Sequence, residues 1–235
     1  MGLCGQQRRE KNYPETAVSG QFIRSTMLDM DNRLRVATAI EKDETQASIG
    51  VFQILKRRGH PDGPPATISD GWGGIDEAML AVYGLVPEYR GHGRPPTRKQ
   101  PAANWLYLQM VKQHDQQGHF TGTQLKAIFG NLDDLLQLMG GSTAYIERSN
   151  LTSRLFNGRQ VRKTLGFSKD LEYYRSSAIW EDAYYNLVKP HKSLRQRTRK
   201  VPGRKWRLRT PAMAAKLTDH IWTVKELLTT IPLRC

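Results

Sequence analysis

The spacing of hydrophobic residues in the first quarter of the chain predicts two strands followed by a helix. Residues 21–28 and 33–40 are rich in strand-core side chains, and the Asp-Met-Asp-Asn stretch between them is typical of a tight turn. The two segments should therefore form an antiparallel hairpin. From residue 44 to 58 the apolar positions recur every three to four residues, which predicts an amphipathic helix ended by Gly59.

The alternation of strand and helix patterns continues beyond this helix. Residues 64–70 predict a short strand with Asp70 at its carboxyl end, residues 75–83 a short helix and residues 105–112 a further strand. This order predicts an α/β fold with a mixed sheet flanked by helices.

The second half of the chain is predicted to be more helical. One helix carries Glu147, and the next is predicted to have Ser168 as its N-cap and to end at Pro190. From residue 189 to 209, ten of 21 residues are Lys or Arg and none is acidic. We expect this run to begin a basic, helical C-terminal extension that covers residues 189–235.

The composition favours a polyanionic partner. The 235 residues include 36 Lys plus Arg against 22 Asp plus Glu, a formal net charge of +14 at pH 7. Such an excess is typical of proteins that bind nucleic acid. The two cysteines, Cys4 and Cys235, lack the paired spacing of a zinc or thiol-redox site. No apolar run approaches the ~18 residues of a membrane span, so a cytoplasmic protein without a membrane partner is expected.

The segment from Ala144 to Lys163 carries a single carboxylate, Glu147, in otherwise basic sequence. On a helix Arg154 would share its face, roughly 10 Å along the axis. That distance suits a metal-ligating carboxylate beside a guanidinium that holds a DNA phosphate. The alternative is a surface acid that pairs with its basic neighbours.

Four segments together resemble transposases of the insertion-sequence-one family of bacteria and archaea. Tyr145–Arg154 resembles their glutamate motif, and Ser69–Trp72 resembles their second-aspartate motif. Tyr185–Arg195 is similar to the segment that follows the glutamate helix, and Thr210–Leu228 to the family's tail. The resemblance runs from about residue 20 to the C-terminus and implies a ribonuclease-H-like core with an Asp-Asp-Glu triad.

The resemblance also implies the reaction: cleavage of double-stranded DNA at the ends of a mobile element, then strand transfer into target DNA. Such chemistry uses divalent ions, Mg²⁺ or Mn²⁺, held by converging carboxylates. Asp70 and Glu147 are the candidate catalytic and metal-ligating residues. For Asp70 the alternative is an Asp-Gly turn. A prokaryotic, nucleoid-associated enzyme that forms a homo-oligomer on DNA is expected.

The first aspartate of the family lies on a strand upstream of the hairpin. Residues 2–5 resemble the end of that strand, so the aspartate would lie before Met1, as in a copy truncated at its N-terminus. Asp29 and Asp31 are the substitutes within the chain, with a turn role as the alternative. We therefore expect three parts, which are a loose remnant over residues 1–19, the catalytic domain over residues 20–188 and the basic extension.

Basic residues in two segments are candidates for holding the DNA backbone. They are Arg154, Arg159, Arg162 and Lys163 after the glutamate, and His191, Lys192 and Arg195 in the basic run. Trp206 in the same run could stack on a flipped or frayed base; the alternative for the run is a disordered, solvated tail. The predicted function is a DNA transposase. A catalytically inactive remnant that binds DNA and a non-enzymatic RNA-binding protein remain the alternatives.

Overall fold

Strands and helices alternate along the chain, and most of their bounds agree with the hydrophobic spacing. The computed structural model describes residues 2–4, 22–89, 91, 93–140, 142–160, 168–198 and 205–230. These residues form a mixed α/β structure with three small sheets. Within them, no helix is long and apolar enough to cross a membrane.

The strands and helices are numbered in chain order. The strands are β1 Gly2–Cys4, β2 Phe22–Leu28, β3 Arg35–Glu41, β4 Thr67–Asp70, β5 Tyr107–His114, β6 Phe120–Phe129, β7 His191–Arg197 and β8 Trp206–Arg209. The helices are α1 Glu44–Arg58, α2 Ile75–Tyr83, α3 Leu132–Met139, α4 Ala144–Phe156, α5 Leu171–Ala183, α6 Pro211–Ala214 and α7 Val224–Thr229. A 3₁₀ turn, Gly158–Gln160, follows α4, and a π-helical turn, Tyr184–Val188, continues α5.

The first two sheets have the orders β1-β2-β3 and β4-β5-β6. Strands β2 and β3 form the predicted hairpin. In its turn, the Asp29 carboxylate accepts hydrogen bonds from the backbone amides of Asp31 at 2.8 Å and Asn32 at 3.2 Å. Asp29 therefore has the turn role that was the alternative to metal binding. Strand β4 pairs with β5 in parallel and β5 with β6 antiparallel, so the second sheet is mixed.

The first of two compact units comprises residues 1–3, Phe22–Thr26 and Ala37–Asn150, and its core is apolar. Helix α1 packs on β3 so closely that a Cβ added at Gly50 would lie 2.8 Å from the Cβ of Ala39. A chain of edge-to-face rings continues the core, with successive centroid distances of 6.4, 6.4 and 5.5 Å. These rings belong to Phe52, Tyr83, Trp105 and Phe129.

The second unit comprises residues 4–21, Met27–Val36 and Leu151–Cys235. Its buried apolar side chains come from α5, the π-helical turn, β7 and α6. They are Tyr174, Ala178, Tyr185, Leu194, Ala212 and Met213. Beside them the unit buries polar side chains, among them Arg35, Ser153, Asn157, Gln160 and Glu181.

Arg35 lies at the centre of these polar groups, with a side chain that is 1% exposed. Its Nη1 lies 2.6 Å from Glu181 Oε1 and 2.8 Å from Asp182 Oδ1. Its Nη2 donates a 2.7 Å hydrogen bond to Ser153 Oγ, and the guanidinium carbon lies 3.9 Å from the centroid of the Tyr185 ring. A buried charge needs such paired and hydrogen-bonded neighbours, because desolvation alone would be costly.

Two local predictions were wrong. Ser168 is not the N-cap of α5, because the carboxylate of Asp170 accepts the hydrogen bond from the amide of Tyr173 at 2.9 Å. The basic run is not helical where it is described, since it forms the antiparallel strands β7 and β8. In β7, Leu194 is the one buried residue, and its neighbours on both sides are exposed.

Candidate functional site

Asp70 ends β4, as predicted, and its side chain is exposed. The strand end is held by the Ser69 hydroxyl, which lies 2.8 Å from the hydroxyl of Tyr107 on β5. Burial raises the pKa of Tyr107 to about 12, so this phenol stays protonated at neutral pH. One Asp70 oxygen accepts a long hydrogen bond, 3.4 Å, from the amide of Trp72. The carboxylate thus supports the following turn while remaining at the surface.

The position of the Trp72 ring explains why residue 74 is a glycine. A Cβ added at Gly74 would overlap the indole ring, so only glycine fits there. The backbone carbonyl of Trp72 also accepts a 2.9 Å hydrogen bond from Gln109 on β5. Trp72 therefore packs locally and helps to fix the loop after Asp70.

Glu147 lies in the first turn of α4, where its carboxylate has two partners. The hydroxyl of Thr143, a residue only 3% exposed, donates to Oε1 at 3.1 Å. The ammonium of Lys112 lies 3.3 Å from the same oxygen. Both charged side chains are about half exposed, at 53% for Lys112 and 52% for Glu147, so solvent screens the pair.

Strand β5 connects Asp70 with Glu147. Asp70 is the register partner of Met110, and Lys112 follows two residues later on the same face of the sheet. Lys112 is therefore only about 7 Å further along the strand than the position opposite Asp70. Its ammonium contacts Glu147, so Lys112 extends from the Asp70 side of β5 to the second candidate carboxylate.

Glu44, at the start of α1, is a carboxylate that the sequence analysis did not single out. Burial raises its pKa, and the negative charges of Asp70 and of Asp43 raise it further. Glu44 is thus electrostatically coupled to Asp70. The sequence shows that Glu44 comes shortly after the β2–β3 hairpin. It does not show that Asp70 lies near Glu44 in the folded chain.

The two expected metal ligands, Asp70 and Glu147, supply hard oxygen donors of the kind that Mg²⁺ and Mn²⁺ prefer. Among the described residues, however, no three His, Cys, Asp or Glu side chains form a group that could hold a metal ion. Lys112 also lies 3.3 Å from one oxygen of Glu147, where its positive charge would compete with a bound cation.

The basic residues after Glu147 are only partly described. Arg154, in the last turn of α4, is half-buried. Arg159 is exposed, and its guanidinium carbon lies 5.9 Å from the centroid of the Tyr173 ring. Arg162 and Lys163 lie outside the described residues.

The candidates in the basic run differ from one another. Lys192 and Arg195 are exposed on β7. His191 is packed with its ring centroid 4.6 Å from that of Tyr185, and its buried Nε2 has no hydrogen-bond partner among the described residues. Burial and the positive charges of Lys189 and Arg35 lower the pKa of His191 to about 4, so its imidazole is neutral at pH 7. This environment favours a packed, uncharged histidine over a phosphate contact.

Comparison with known proteins identifies no relative. Scans of the chain against family models, curated proteins and solved structures found no match. The functional reading therefore rests on the residues and their geometry. Lys112 and Thr143 are the site residues that sequence reasoning missed, because neither has a motif and both are defined by their contact with Glu147.

Proposed function

We propose that this protein is a transposase of the Asp-Asp-Glu class with a ribonuclease-H-like core. It would act on double-stranded DNA at the ends of a mobile element, as a homo-oligomer in a prokaryotic cytoplasm. The observation that supports the proposal is that Lys112, two residues beyond the register partner of Asp70 on β5, contacts the carboxylate of Glu147. The element order strand, hairpin, helix, strand and helix also supports such a core, whereas the strands form two separate sheets, β1-β2-β3 and β4-β5-β6, in place of the expected single mixed sheet.

Asp70 and Glu147 would hold Mg²⁺ or Mn²⁺, which would activate the attacking oxygen and stabilise the leaving oxygen of a phosphodiester. Neighbouring side chains would hold the two carboxylates in position. Thr143 orients the Glu147 carboxylate, and the bond between Ser69 and Tyr107 fixes the strand end that carries Asp70. Lys112 neutralises Glu147 until it is displaced.

The test is cleavage of a plasmid that carries the genomic DNA flanking the gene, with Mg²⁺ or Mn²⁺ added. We expect cleavage by the full chain and a loss of at least about a hundredfold in both Asp70→Asn and Glu147→Gln, because carboxylate ligands position the metal. Glu77→Gln is the matched control, since Glu77 is an exposed acid in the first turn of α2 in the same unit. Equal activity in Glu147→Gln and the unchanged protein would refute the assigned role.

One observation favours a second function, a DNA-binding protein that does not cleave. The ammonium of Lys112 lies 3.3 Å from one oxygen of Glu147, so this carboxylate already has a cationic partner without a metal. Salt-sensitive DNA binding without cleavage in either metal would establish this alternative and rule out the first.

A further inference from the structure

The β7–β8 hairpin presents two different faces. The register pairs Arg197 with Trp206 and Gln196 with Arg207, so these two pairs point to opposite sides. The pairing is irregular between His191 and Gln196, and there the contact of Arg195 with the Trp206 ring places Arg195 on the Trp206 side. One side, which we name the hairpin face, consists of Arg195, Arg197, Trp206 and Leu208. All four side chains are exposed.

The opposite side anchors the hairpin to its own unit. The side chain of Arg207 donates a 2.7 Å hydrogen bond to the carbonyl oxygen of Asp219, which lies outside the hairpin. The side chain of Arg209 donates a 2.8 Å hydrogen bond to the carbonyl oxygen of Leu194, which joins β8 to β7. Leu194 is buried on this side. The hairpin face is therefore held at the surface by fixed contacts behind it.

On the hairpin face, the guanidinium of Arg195 stacks on the indole of Trp206, with 4.3 Å between the guanidinium carbon and the ring centroid. Trp206 nevertheless remains 43% exposed, and Leu208 beside it is 47% exposed. Arg195 can cover only one side of the ring. A large exposed aromatic surface next to cations, in a run without acids, is complementary to a base and its phosphates.

We propose that the hairpin face binds single-stranded DNA, with one base stacked on Trp206 and the adjoining phosphates at Arg195 and Arg197. The inference deepens the proposed function and rests on it for the choice of DNA, because cleavage at element ends exposes unpaired strands. Double-stranded DNA would meet the same cations but could not reach the indole, since its bases are already stacked on one another. The site should therefore prefer unpaired over paired DNA.

The test measures binding of a labelled 12-nucleotide oligothymidylate and of a 12-base-pair duplex to the full chain by fluorescence anisotropy, in EDTA and over a range of salt concentrations. Trp206→Ala should weaken oligothymidylate binding about tenfold. It should leave duplex binding within about twofold, and Trp206→Phe should restore most of the loss. Trp180→Ala is the matched control, because Trp180 is 42% exposed on α5 of the same unit and should have no effect.

Salt dependence separates stacking from charge. Trp206→Ala should leave the log–log salt slope for oligothymidylate unchanged, whereas Arg195→Gln should make it shallower by about 0.7. Unchanged oligothymidylate affinity in Trp206→Ala would overturn the proposal, and so would an equal loss on single strands and duplex. Tighter binding of an oligouridylate of the same length would replace DNA by RNA as the ligand. The binding experiment is independent of the cleavage experiment, because EDTA prevents metal-dependent cleavage. A failure of oligothymidylate binding would leave the roles of Asp70 and Glu147 in cleavage untouched, and an absence of cleavage would leave the binding result untouched.

Discussion

The two units place their ion pairs differently. In the first unit, Met79 and Leu108 are completely buried in an apolar core, and an exposed ion pair, Lys112 with Glu147, lies at the surface. In the second unit the ion pair itself is buried, since Arg35 contacts Glu181 with almost no solvent exposure. A cation paired with a glutamate is therefore a screened surface contact in one unit and a buried structural contact in the other.

This difference teaches where each unit is sensitive. An apolar core loses stability in proportion to the volume that is removed. A buried polar network fails when one partner is removed, because the remaining charge is left without compensation. The predictions below test this contrast, from the largest expected effect to the smallest.

The largest effect is expected for Arg35→Ala. The substitution leaves Glu181 and Asp182 without their cation, and we expect a loss of about 3–5 kcal/mol in the free energy of unfolding. Urea unfolding, with hydrogen exchange of the α5 amides, measures it. In the double variant Arg35→Met with Glu181→Leu, the loss in the free energy of unfolding should be smaller than the sum of the losses in the two single variants. A loss below about 1 kcal/mol in Arg35→Ala would show that the network is not a structural centre.

In the first unit, Met79→Ala should cost about 3 kcal/mol, because it opens a cavity at a residue with 0% exposure. Met79→Leu, which nearly conserves the volume, should cost less than about 1.5 kcal/mol. Thermal unfolding of the three proteins gives the comparison. Equal stability of Met79→Ala and the unchanged protein would contradict the tightly packed apolar core.

The second unit should also be sensitive to acid through His191. Its pKa of about 4 lies below the ordinary value of 6.5, so the unfolded chain binds a proton at a higher pH than the folded chain does. Stability from this residue is present above pH 6.5 and is lost as the pH falls towards 4. After allowance for partial solvent screening the loss is about 1–2 kcal/mol. We expect His191→Gln to have a flatter stability profile over this range, and parallel profiles would argue against the buried, neutral imidazole.

The smallest effect is expected for Lys112→Gln. Because both partners are about half exposed, the free energy of unfolding should change by less than about 1 kcal/mol. The same variant should bind Mn²⁺ more tightly, since the Glu147 carboxylate then has no ammonium to displace. Calorimetric titration with Mn²⁺ measures this, with Lys126→Gln on β6 as the control. Weaker Mn²⁺ binding in Lys112→Gln would show that Lys112 assists the site.

Much of the candidate site could be predicted because its signals are local. Asp70 at a strand end and Glu147 near a helix start follow from short-range patterns of apolar and turn residues. The strands of the basic run were missed because they are short and because polar residues fill all of β7 except Leu194, its one buried residue. The N-cap was misassigned between Ser168 and Asp170, which are both good capping residues two positions apart.

The sequence by itself determined the mixed α/β alternation, the hairpin turn at Asp29 and the basic charge of the chain, since propensity, capping and charge are properties of neighbouring residues. Only the tertiary structure decided that Lys112 reaches Glu147, that Arg195 stacks on Trp206 and that Arg35 is buried with Glu181. These contacts join residues 35, 11 and 146 positions apart. They depend on strand register and helix packing, which no local pattern specifies.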